Sequence, residues 1–542
     1  MKTKNMRRLL NYVLAIALLS WSAPLVTGCA DSEHMDEYLF EPQQDNEPQS
    51  DSDEVAKKLA STPTISDVQV HVSKEDSTMR SYYFCVEQPI DHNNPAKGTF
   101  KQRCYIQFVS YNSPVVLETD GYCMPDSIEN QETADIVKFL SANYMRVEHR
   151  YFGKSLPEPF ENTDFTYLYT DQAAADLHTV VTLMQKHIFP ASNKWVATGT
   201  SKGGITATLY AYYSDKNGWN DIDLFMPFCA PFITGTATSC LSGEVGTYLL
   251  STCGQGYPKG SAEAQAYQYL QAIPAAITSN KALRDACLRQ FHLKKPEHYK
   301  EILSNFNGEQ LEKAATVGVL HTFYENLFSH YSYIPFSSWA GFVPDPAIAI
   351  DKDADEEGIQ LLTSFIFLSD KELNAIIEIE KMVNGLTRGA QNDEEILQWR
   401  KDNENMPYYL QAYRELGSYN YDYSLVDSTY LSPQFALQVN HIFSVENRFS
   451  TRYPNQWDGG KLMSDVRHWV KTVSGIPILF VYSYNDPWTG AAIDDAAADP
   501  SRKVWKVTNL IGIHTDDFLD PSQCDKQASQ AIKNAIHTAL GI

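Results

Sequence analysis

The order in which strand and helix patterns follow one another most restricts the fold of this 542-residue chain. Between Ser81 and Cys229, short apolar runs that suit strands alternate with segments of helical periodicity. The alternation then stops, and helical patterns dominate from about Phe232 to Ser474. It resumes with "IPILFVYSYNDPW", the strongest buried-strand signal of the chain. This order predicts a mostly parallel sheet with right-handed crossovers, interrupted by a long helical insertion.

The same pattern divides the chain into segments. We expect residues 62–231 and 475–542 to form an α/β domain and residues 232–474 to form a mostly helical cap. Residues 1–28 have the composition of a signal peptide, and residues 29–61 that of an acidic linker that cannot bury enough apolar surface to fold. Ligands of open α/β sheets bind at the carboxyl ends of the strands. An insertion near those ends therefore predicts a roofed site.

The N-terminus indicates export and a lipid anchor. Basic residues precede an apolar stretch from Leu9 to Leu19, which is short for the roughly 20 residues of a membrane span. The following "LVTGC" resembles the lipobox of bacterial lipoproteins, in which the cysteine, here Cys29, is lipidated and becomes the new N-terminus. We expect a cell-envelope protein held to the outer membrane by this lipid, facing the periplasm or the cell surface. Ordinary cleavage near Ala23 or Ala30 is the alternative.

Charge and cysteine spacing exclude some partners. The net charge of −23 argues against nucleic acid, because phosphates require Lys and Arg. No C-x-x-C motif or His/Cys cluster suggests a metal, and we predict no metal and no cofactor. Export permits disulfides. Cys85 with Cys104, and Cys240 with Cys253, are the two candidate pairs.

A serine between two glycines is the first sign of chemistry. In "ATGTSKGGITA", Ser201 lies two residues from both Gly199 and Gly203, after a predicted strand and before a predicted helix. A serine on so sharp a turn needs small neighbours, because the backbone packs closely there. G-x-S-x-G in this setting is typical of the nucleophile elbow of α/β-hydrolases. We therefore predict an α/β-hydrolase sheet with a helical cap.

An acid and a histidine follow in the chain order of that fold, which is serine, acid, histidine. Asp486 comes directly after the strand "ILFVYSYN", and His514 comes after the next strand, "RKVWKVTNL". Ser201 needs an imidazole to take its proton, and the imidazole needs a carboxylate to orient it and stabilise its charge. Three competing carboxylates are expected to be solvated: Asp494, Asp495 and Asp499.

The oxyanion formed in such chemistry requires two N–H donors. One comes from the residue after the nucleophile, which is Lys202. The second comes from the turn after the third strand of the fold, where "ETDGYC" lies. Gly121 permits a close turn there, so we predict the N–H of Tyr122 as the second donor.

Four separated motifs resemble one family. "EQPIDHNNPAKGTFKQRCYI", "VEHRYFGKSLPEP", "GTSKGG" and "VYSYNDPW" are similar to segments of the secreted prolyl tri/tetrapeptidyl aminopeptidases, serine exopeptidases related to the Pro-X carboxypeptidase and dipeptidyl-peptidase group. The resemblance runs from about Tyr82 to Phe518 and is weak in the insertion. It implies peptide substrates, an acyl-enzyme on Ser201 and release of a short peptide from a free N-terminus, often after proline. The segment "IGIHTDD" departs from the expected family pattern.

An aminopeptidase of this kind has to hold the substrate ammonium at a set distance from its serine, which requires a carboxylate. Glu148, inside "VEHR", and Glu325, inside "TFYENLF", are the candidates, although both also suit ordinary ion pairs. Trp488 and the many tyrosines are candidates for an apolar proline pocket, although aromatic residues are more often core.

Three other functions stay open at this point. A lipase or esterase uses the same fold, but the chain has "DGY" where many such enzymes have H-G-G-G. A Pro-X carboxypeptidase-like activity uses the same three catalytic residues. A non-catalytic surface-binding lipoprotein is the third alternative, and the complete set of serine, acid and histidine argues against it.

Overall fold

The computed structural model describes residues 53–72, 80–125, 134–190, 192–236, 244–350, 356–383, 406–444, 447, 449, 453–473, 475–514 and 516–542. The predicted signal peptide, Cys29 and residues 29–52 of the predicted linker lie outside these residues, as does Cys240. The strands are β1 (Ile65–Val72), β2 (Arg80–Pro89), β3 (Thr99–Phe108), β4 (Val115–Thr119), β5 (Asn143–Val147), β6 (Trp195–Thr200), β7 (Leu224–Phe228), β8 (Ile478–Ser483) and β9 (Val504–Asn509).

The helices fall into two groups. Those of the sheet domain are α1 (Glu54–Ser61), α2 (Asp135–Leu140), α3 (Thr170–His187), α4 (Lys202–Asn217), α15 (Lys461–Val470) and α16 (Lys526–Leu540). Those of the insertion are α5 (Glu244–Ser251), α6 (Ala262–Ser279), α7 (Lys281–Lys294), α8 (Pro296–Asn305), α9 (Gly308–Tyr333), α10 (Phe336–Trp339), α11 (Ala347–Ile350), α12 (Glu356–Ile366), α13 (Asp370–Val383) and α14 (Pro433–Asn440). A π-helical turn spans Ala412–Leu416. None of the described helices is both long and apolar enough to cross a membrane.

The strands form one nine-stranded sheet in the order β1-β2-β3-β5-β4-β6-β7-β8-β9. The pairs from β1 to β5 are antiparallel, and the pairs from β5 to β9 are parallel. β4 lies between β5 and β6, although it precedes both in the chain, so the direction of strand addition reverses at β4. Such a switch point leaves a crevice at the carboxyl ends of the strands, where ligands of α/β sheets bind.

The central strands are apolar because helices cover both faces of the sheet. Every residue of β5 is buried, and β8 is buried throughout. Helices α1, α3, α4 and α15 share a core with one face, and α2 and α16 share a core with the other. The predicted α/β-hydrolase sheet with a helical insertion is confirmed.

The boundary between linker and fold is earlier than predicted. Asp53 caps α1, its carboxylate accepts a hydrogen bond from Arg80 at 2.8 Å, and Val55 and Leu59 are buried against the sheet. The assignment of residues 29–61 to an unfolded linker is therefore wrong for residues 53–61, which form α1 and its N-cap. Because α1 has only two buried apolar residues, the composition of this segment did not indicate a folded helix. β1 was also missed, because its residues are only partly buried and carry no strong apolar run.

The predicted end of the cap at residue 474 is also too late. α15 buries Met463, Val466 and Val470 in the core of the sheet domain, and Leu416 joins the same core. α15 is therefore the helix that leads into β8. The β/α alternation resumes one helix earlier than the sequence pattern indicated.

The insertion has a core of its own. Its helices bury a large cluster that includes Phe291, Tyr324, Tyr331, Trp339 and Leu362. The longest of the described helices, α9, lies at the centre of this cluster and has apolar residues on all sides. The helical cap predicted from sequence is present, with α9 as its axis.

Cys85 and Cys104 do not form the predicted disulfide. Both cysteines are free, and in the β2–β3 ladder Cys104 lies opposite Phe84 while Cys85 lies opposite Arg103. Because neighbouring residues of a strand point to opposite faces, this register directs the two side chains to opposite faces of the sheet. Cys253 is also free, and its predicted partner lies outside the described residues.

Candidate active site

Ser201 occupies the sharp turn between β6 and α4. Its backbone has φ 58° and ψ −121°, a conformation that few residues other than glycine adopt. The Ser201 N–H donates to the carbonyl of Phe228 at 2.9 Å, and its carbonyl accepts from the N–H of Ile205 at 3.0 Å. Strain of this kind costs on the order of 1–3 kcal/mol and persists only where the surroundings enforce it. The geometry is that of a nucleophile elbow.

Two glycines make this turn possible through close approach. A Cβ atom on Gly199 would lie 2.6 Å from the carbonyl carbon of Gly203. A Cβ atom on Gly121, in the turn after β4, would lie 2.6 Å from the N atom of Gly203. Thr119, at the end of β4, donates its hydroxyl to the Gly203 carbonyl at 2.9 Å. The turn after β4 therefore lies directly against the first turn of α4.

Asp486 and His514 form a buried pair at the ends of β8 and β9. His514 Nδ1 lies 2.7 Å from Asp486 Oδ2 and donates to it, and both side chains are buried. The second oxygen of Asp486 accepts the Trp488 N–H at 3.1 Å. With Nδ1 used in this way, Nε2 is the imidazole atom left to exchange a proton with a substrate or with Ser201.

A second carboxyl, Asp516, supports the loop that carries His514, and sequence reasoning missed it. It accepts from the Ile513 N–H, from Asn509 Nδ2 at 3.3 Å and from the Ser483 hydroxyl at 3.5 Å. Burial, together with the charge of Asp486, raises the pKa of Asp516 to about 7, although the hydrogen bonds oppose the rise. The first acid in "HTDD" was the available signal, since this carboxyl lies two residues from His514, inside the segment that departs from the family pattern.

Ser201 and His514 open into the same cavity, of about 620 Å³, between the sheet and the cap. Three of the other predicted residues line it as well: Tyr122, Glu325 and Trp488. The remaining lining includes residues that the sequence analysis did not single out: His321, Tyr333, Tyr408, Tyr409, Tyr419, Tyr421, Asn440, Phe443 and Ser444. These residues lie in the insertion and belong to no recognisable motif. The large number of tyrosines was the one sequence signal for part of this set.

Glu325 projects from α9 into the cavity with 47% of its side chain exposed. Lys295 Nζ lies 3.0 Å from its Oε2, and the half-buried His321 lies in the same cavity wall. Partial burial opposes ionisation, but the positive potential of His321 and Lys295 outweighs it and lowers the pKa of Glu325. The site therefore contains a carboxylate that is ionised at neutral pH and reachable from the cavity.

Glu148 does not have the predicted role, because the structure keeps it out of the cavity. It is fully buried, and its oxygens accept from the Met124 N–H at 3.0 Å and from the Ser155 hydroxyl at 2.7 Å. In the same motif the buried Arg150 holds both oxygens of Asp176, at 2.7 and 2.8 Å. The E-H-R-Y-F-G segment is thus a buried scaffold, and its carboxylate is already satisfied.

The two predicted oxyanion donors lie side by side. Lys202 is the first residue of α4, where backbone N–H groups have no acceptor within the helix. Tyr122 lines the cavity, and its carbonyl accepts from the His149 N–H at 3.2 Å. Because Gly121 packs on Lys202, the N–H groups of residues 122 and 202 belong to adjoining stretches of backbone beside Ser201.

One set of side chains near the pair has the ligand types of a metal site. Cys229 Sγ, an Asp486 oxygen and a His514 nitrogen lie within 4.8 Å of one another. Burial raises the pKa of Cys229 well above its usual range, so the thiol is protonated and is a poor ligand. Asp486 and His514 are joined by a hydrogen bond. The arrangement therefore suits proton transfer better than metal binding.

Comparison with known proteins supports the family resemblance. Residues 47–233 match the sequence model of the PS-10 peptidase S37 family. The predicted resemblance is thereby confirmed for this segment, which contains Ser201. The S37 segment includes β1 to β7, whereas Asp486, His514 and nearly all of the cap lie beyond it.

Curated relatives agree with this match. The chain is 36% identical over 150 residues to a prolyl tri/tetrapeptidyl aminopeptidase of Streptomyces mobaraensis, which is 27% of this chain and 29% of that protein. It is 29% identical over 181 residues to a serine protease of Bipolaris victoriae, covering 29% of this chain and 34% of that protein. The chain thus spans about a third of the length of the curated relatives it matches.

Solved structures that align with the chain include α/β-hydrolases at low similarity. A peroxisomal alpha-beta-hydrolase of Saccharomyces cerevisiae is 10% identical, with 86% of this chain and 90% of that chain covered and a TM-score of 0.31. The rice cell wall degrading esterase of Xanthomonas oryzae is 10% identical, with 88% and 98% covered and a TM-score of 0.32.

Proposed function

We propose that this protein is a serine exopeptidase that releases short peptides, of three or four residues, from the free N-termini of peptides, with a preference for proline at the cleavage position. One observation carries the proposal. A single roofed cavity contains Ser201 on a strained turn, the imidazole of a buried Asp486–His514 pair and the carboxylate of Glu325. The match to the peptidase S37 family and the names of the curated relatives support a serine peptidase.

The chemistry follows from these groups. His514 Nε2 takes the Ser201 proton while the oxygen attacks the scissile carbonyl, and Asp486 stabilises the imidazolium that forms. The N–H groups of Lys202 and Tyr122 bind the oxyanion. His514 then gives its proton to the leaving amine, and water attacks the acyl-enzyme to release the N-terminal peptide. No cofactor is required for these steps.

Exopeptidase polarity depends on Glu325. In the proposed complex, this carboxylate, which lines the same cavity as Ser201, accepts the ammonium of a substrate whose scissile bond lies at Ser201. Lys295, 3.0 Å away, occupies part of this carboxylate in the free protein, so the substrate ammonium joins or replaces an existing cation. The pair keeps the carboxylate ionised, which is the form that an ammonium needs.

The aromatic wall suits a proline ring. The Trp488 ring meets the Phe328 and Tyr419 rings edge to face, with centroids 5.0 and 5.1 Å apart. Trp488 also lies 6.3 Å from the His514 ring. A rigid apolar surface beside the imidazole favours a cyclic aliphatic side chain next to the scissile bond.

The proposal is tested with a library of peptides bearing free or acetylated N-termini, with products read by mass spectrometry. We expect tri- and tetrapeptides from free N-termini and very little cleavage of acetylated peptides. Equal cleavage of both forms contradicts the aminopeptidase reading. Release from C-termini would instead favour the carboxypeptidase alternative, and hydrolysis of acyl esters alone would favour an esterase.

We further propose that Cys29 carries a lipid and anchors the protein to the outer membrane of the cell envelope. The support is the sequence "LVTGC" after an export signal. Peptide substrates in that compartment would reach the cavity without entering the cell.

A further inference from the structure

The side chain of Lys202 is buried next to the proposed oxyanion site, and its placement has no obvious packing reason. Only 2% of Lys202 is exposed, and its Nζ donates to the carbonyl of Gly121. The Nζ lies 4.5 Å from the ring centroid of Phe152 and 5.5 Å from that of Tyr122. Burying an ammonium is costly unless hydrogen bonds and charge interactions offset the cost. A methionine would fill the same space without that cost.

The hydrogen bond from Lys202 Nζ to the Gly121 carbonyl affects the second proposed oxyanion donor, the Tyr122 N–H, because both groups belong to one planar peptide. The Gly121 carbonyl and the Tyr122 N–H belong to the same trans peptide, so they point in opposite directions. A donor fixed on the carbonyl side therefore directs the N–H away from Lys202 Nζ. The next carbonyl, that of Tyr122, is held by the His149 N–H at 3.2 Å. The two peptides on either side of the Tyr122 Cα atom are thus each restrained at their carbonyl.

The positive charge adds to this geometric effect. A cation on the carbonyl oxygen polarises the peptide and strengthens hydrogen donation by its N–H. Phe152 and Tyr122 exclude water from the ammonium and contribute cation–π attraction. His149 lies nearby, and burial and the Lys202 charge hold its pKa well below the usual range, so it adds no second charge at neutral pH.

We propose that the Lys202 side chain is a positioning residue of the oxyanion hole. The residue then acts twice: its backbone N–H binds the oxyanion, and its ammonium orients and polarises the peptide that supplies the Tyr122 N–H. This proposal rests on the proposed function, because it assumes that Ser201 is the nucleophile.

A fluorophosphonate probe tests the proposal without any knowledge of the peptide substrate. Ser201 Oγ forms a bond to phosphorus, the P–F bond breaks, fluoride leaves, and His514 takes the serine proton. The phosphoryl oxygen occupies the oxyanion site during this step. We expect Lys202→Met to react 10²- to 10³-fold more slowly per folded molecule, roughly the effect of losing one oxyanion donor. Affinity for a released product peptide, which carries no oxyanion, should change little.

Lys216→Met is the matched control, because Lys216 lies on the same helix and its Nζ stacks on Tyr212 at 4.0 Å, away from the site. It should label at the wild-type rate. Lys202→Gln, which keeps a polar donor without the charge, should fall between wild type and Lys202→Met, and it decides the question if the methionine variant does not fold. A lower melting temperature with an unchanged labelling rate would overturn the proposal. Absence of labelling in the wild type would instead overturn Ser201 as nucleophile.

Discussion

The backbone N–H of His514 donates to the carbonyl of Ser332 at 3.0 Å, and this bond joins the histidine loop of the sheet to cap helix α9. The ring of the next residue, Tyr333, meets the imidazole at a right angle with centroids 6.1 Å apart. His514 is therefore oriented by the cap as well as by Asp486. If the proposed mechanism holds, the cap is therefore part of the catalytic arrangement as well as a roof over the cavity.

Replacing Ser201 by Ala should remove activity and leave the fold intact. Loss of the nucleophile is expected to lower kcat by about 10⁴-fold or more. The melting temperature should change little, because Ala adds no bulk to the turn. Ser214→Ala is a suitable control, since Ser214 lies on the helix that follows Ser201 and its buried hydroxyl has no hydrogen-bond partner among the described residues. Turnover of Ser201→Ala near the wild-type value would contradict the elbow assignment.

Asp486→Asn should fold but turn over roughly 10⁴-fold more slowly, because the amide favours the wrong tautomer of His514. The measurement is kcat on a peptide that the wild type cleaves. Asp494→Asn is the control, as Asp494 is exposed and pairs with Lys471. If Asp486→Asn kept full activity, Asp516 would be the next acid to examine, because it lies in the loop that carries His514.

Glu325→Gln should reduce discrimination between free and acetylated peptides. Loss of one partner of a partly buried charge pair typically costs 2–5 kcal/mol. We therefore expect a wild-type ratio of kcat/KM on the order of 10²- to 10³-fold, and a ratio near one in the variant. Because the pKa of Glu325 is lowered, the wild-type preference should persist as the pH falls to the usual glutamate range and be lost only below it.

Two companion variants make that result specific. Lys295→Met removes the cation that competes for the carboxylate and should widen the preference for free N-termini. Glu309→Gln changes an exposed carboxylate on the same helix α9 and should leave the ratio unchanged. If Glu325→Gln kept the wild-type ratio, the ammonium would have to be bound elsewhere in the cavity.

Asp516 predicts a pH dependence of stability. Its pKa is about 7 in the folded protein against 3.8 for the free group, so the folded state binds the proton more tightly. The resulting stabilisation is present at acidic pH and is lost as the pH rises from about 4 to 7. Asp516→Asn should therefore narrow the difference in melting temperature between pH 5 and pH 8.

Asp520→Asn, in the same segment, provides the contrast. The Ser522 hydroxyl and N–H hydrogen bond to Asp520 and lower its pKa, so this carboxylate is ionised throughout that range. The substitution should lower the melting temperature about equally at both values of pH. If the difference in melting temperature between pH 5 and pH 8 is the same in Asp516→Asn as in the wild type, Asp516 is ionised in the folded protein at pH 5.

Cys29→Ser should move the protein from the membrane fraction to the soluble fraction, because lipidation requires the thiol. The measurement is immunoblotting of fractionated cells, with a substitution of Ser32 as a control outside the lipobox. Membrane association that survives Cys29→Ser would exclude the lipid anchor.

The residues of the site that could be predicted from the sequence are those that come directly after a strand in the chain. Ser201, Asp486 and His514 each come directly after an apolar run, and the carboxyl ends of parallel strands meet at one edge of a sheet. Local pattern and chain order were therefore enough to place them together. The same reasoning predicts Tyr122 and Lys202 as oxyanion donors, because the prediction uses only their backbone positions and not their side chains.

The cap side of the cavity could not be predicted in that way. Glu148 and Glu325 look alike in sequence, yet the first is enclosed by Met124 and Ser155 while the second faces the cavity. The difference arises from how α9 packs over the sheet, which depends on contacts between residues far apart in the chain. Asp516 was missed for a similar reason, since its burial follows from the path of the loop after β9.

The junction between β7 and β8 has a consequence for how such a protein can change over evolutionary time. β7 ends at Phe228 and β8 begins at Ile478, yet the two strands pair side by side. The entropy of closing a loop rises only with the logarithm of its length, about 0.6 kcal/mol for each doubling. The sheet can therefore accept insertions of very different size at this point with little effect on its stability. A lineage can therefore exchange one cap for another, and change what the cavity admits, while keeping Ser201 and the Asp486–His514 pair in place.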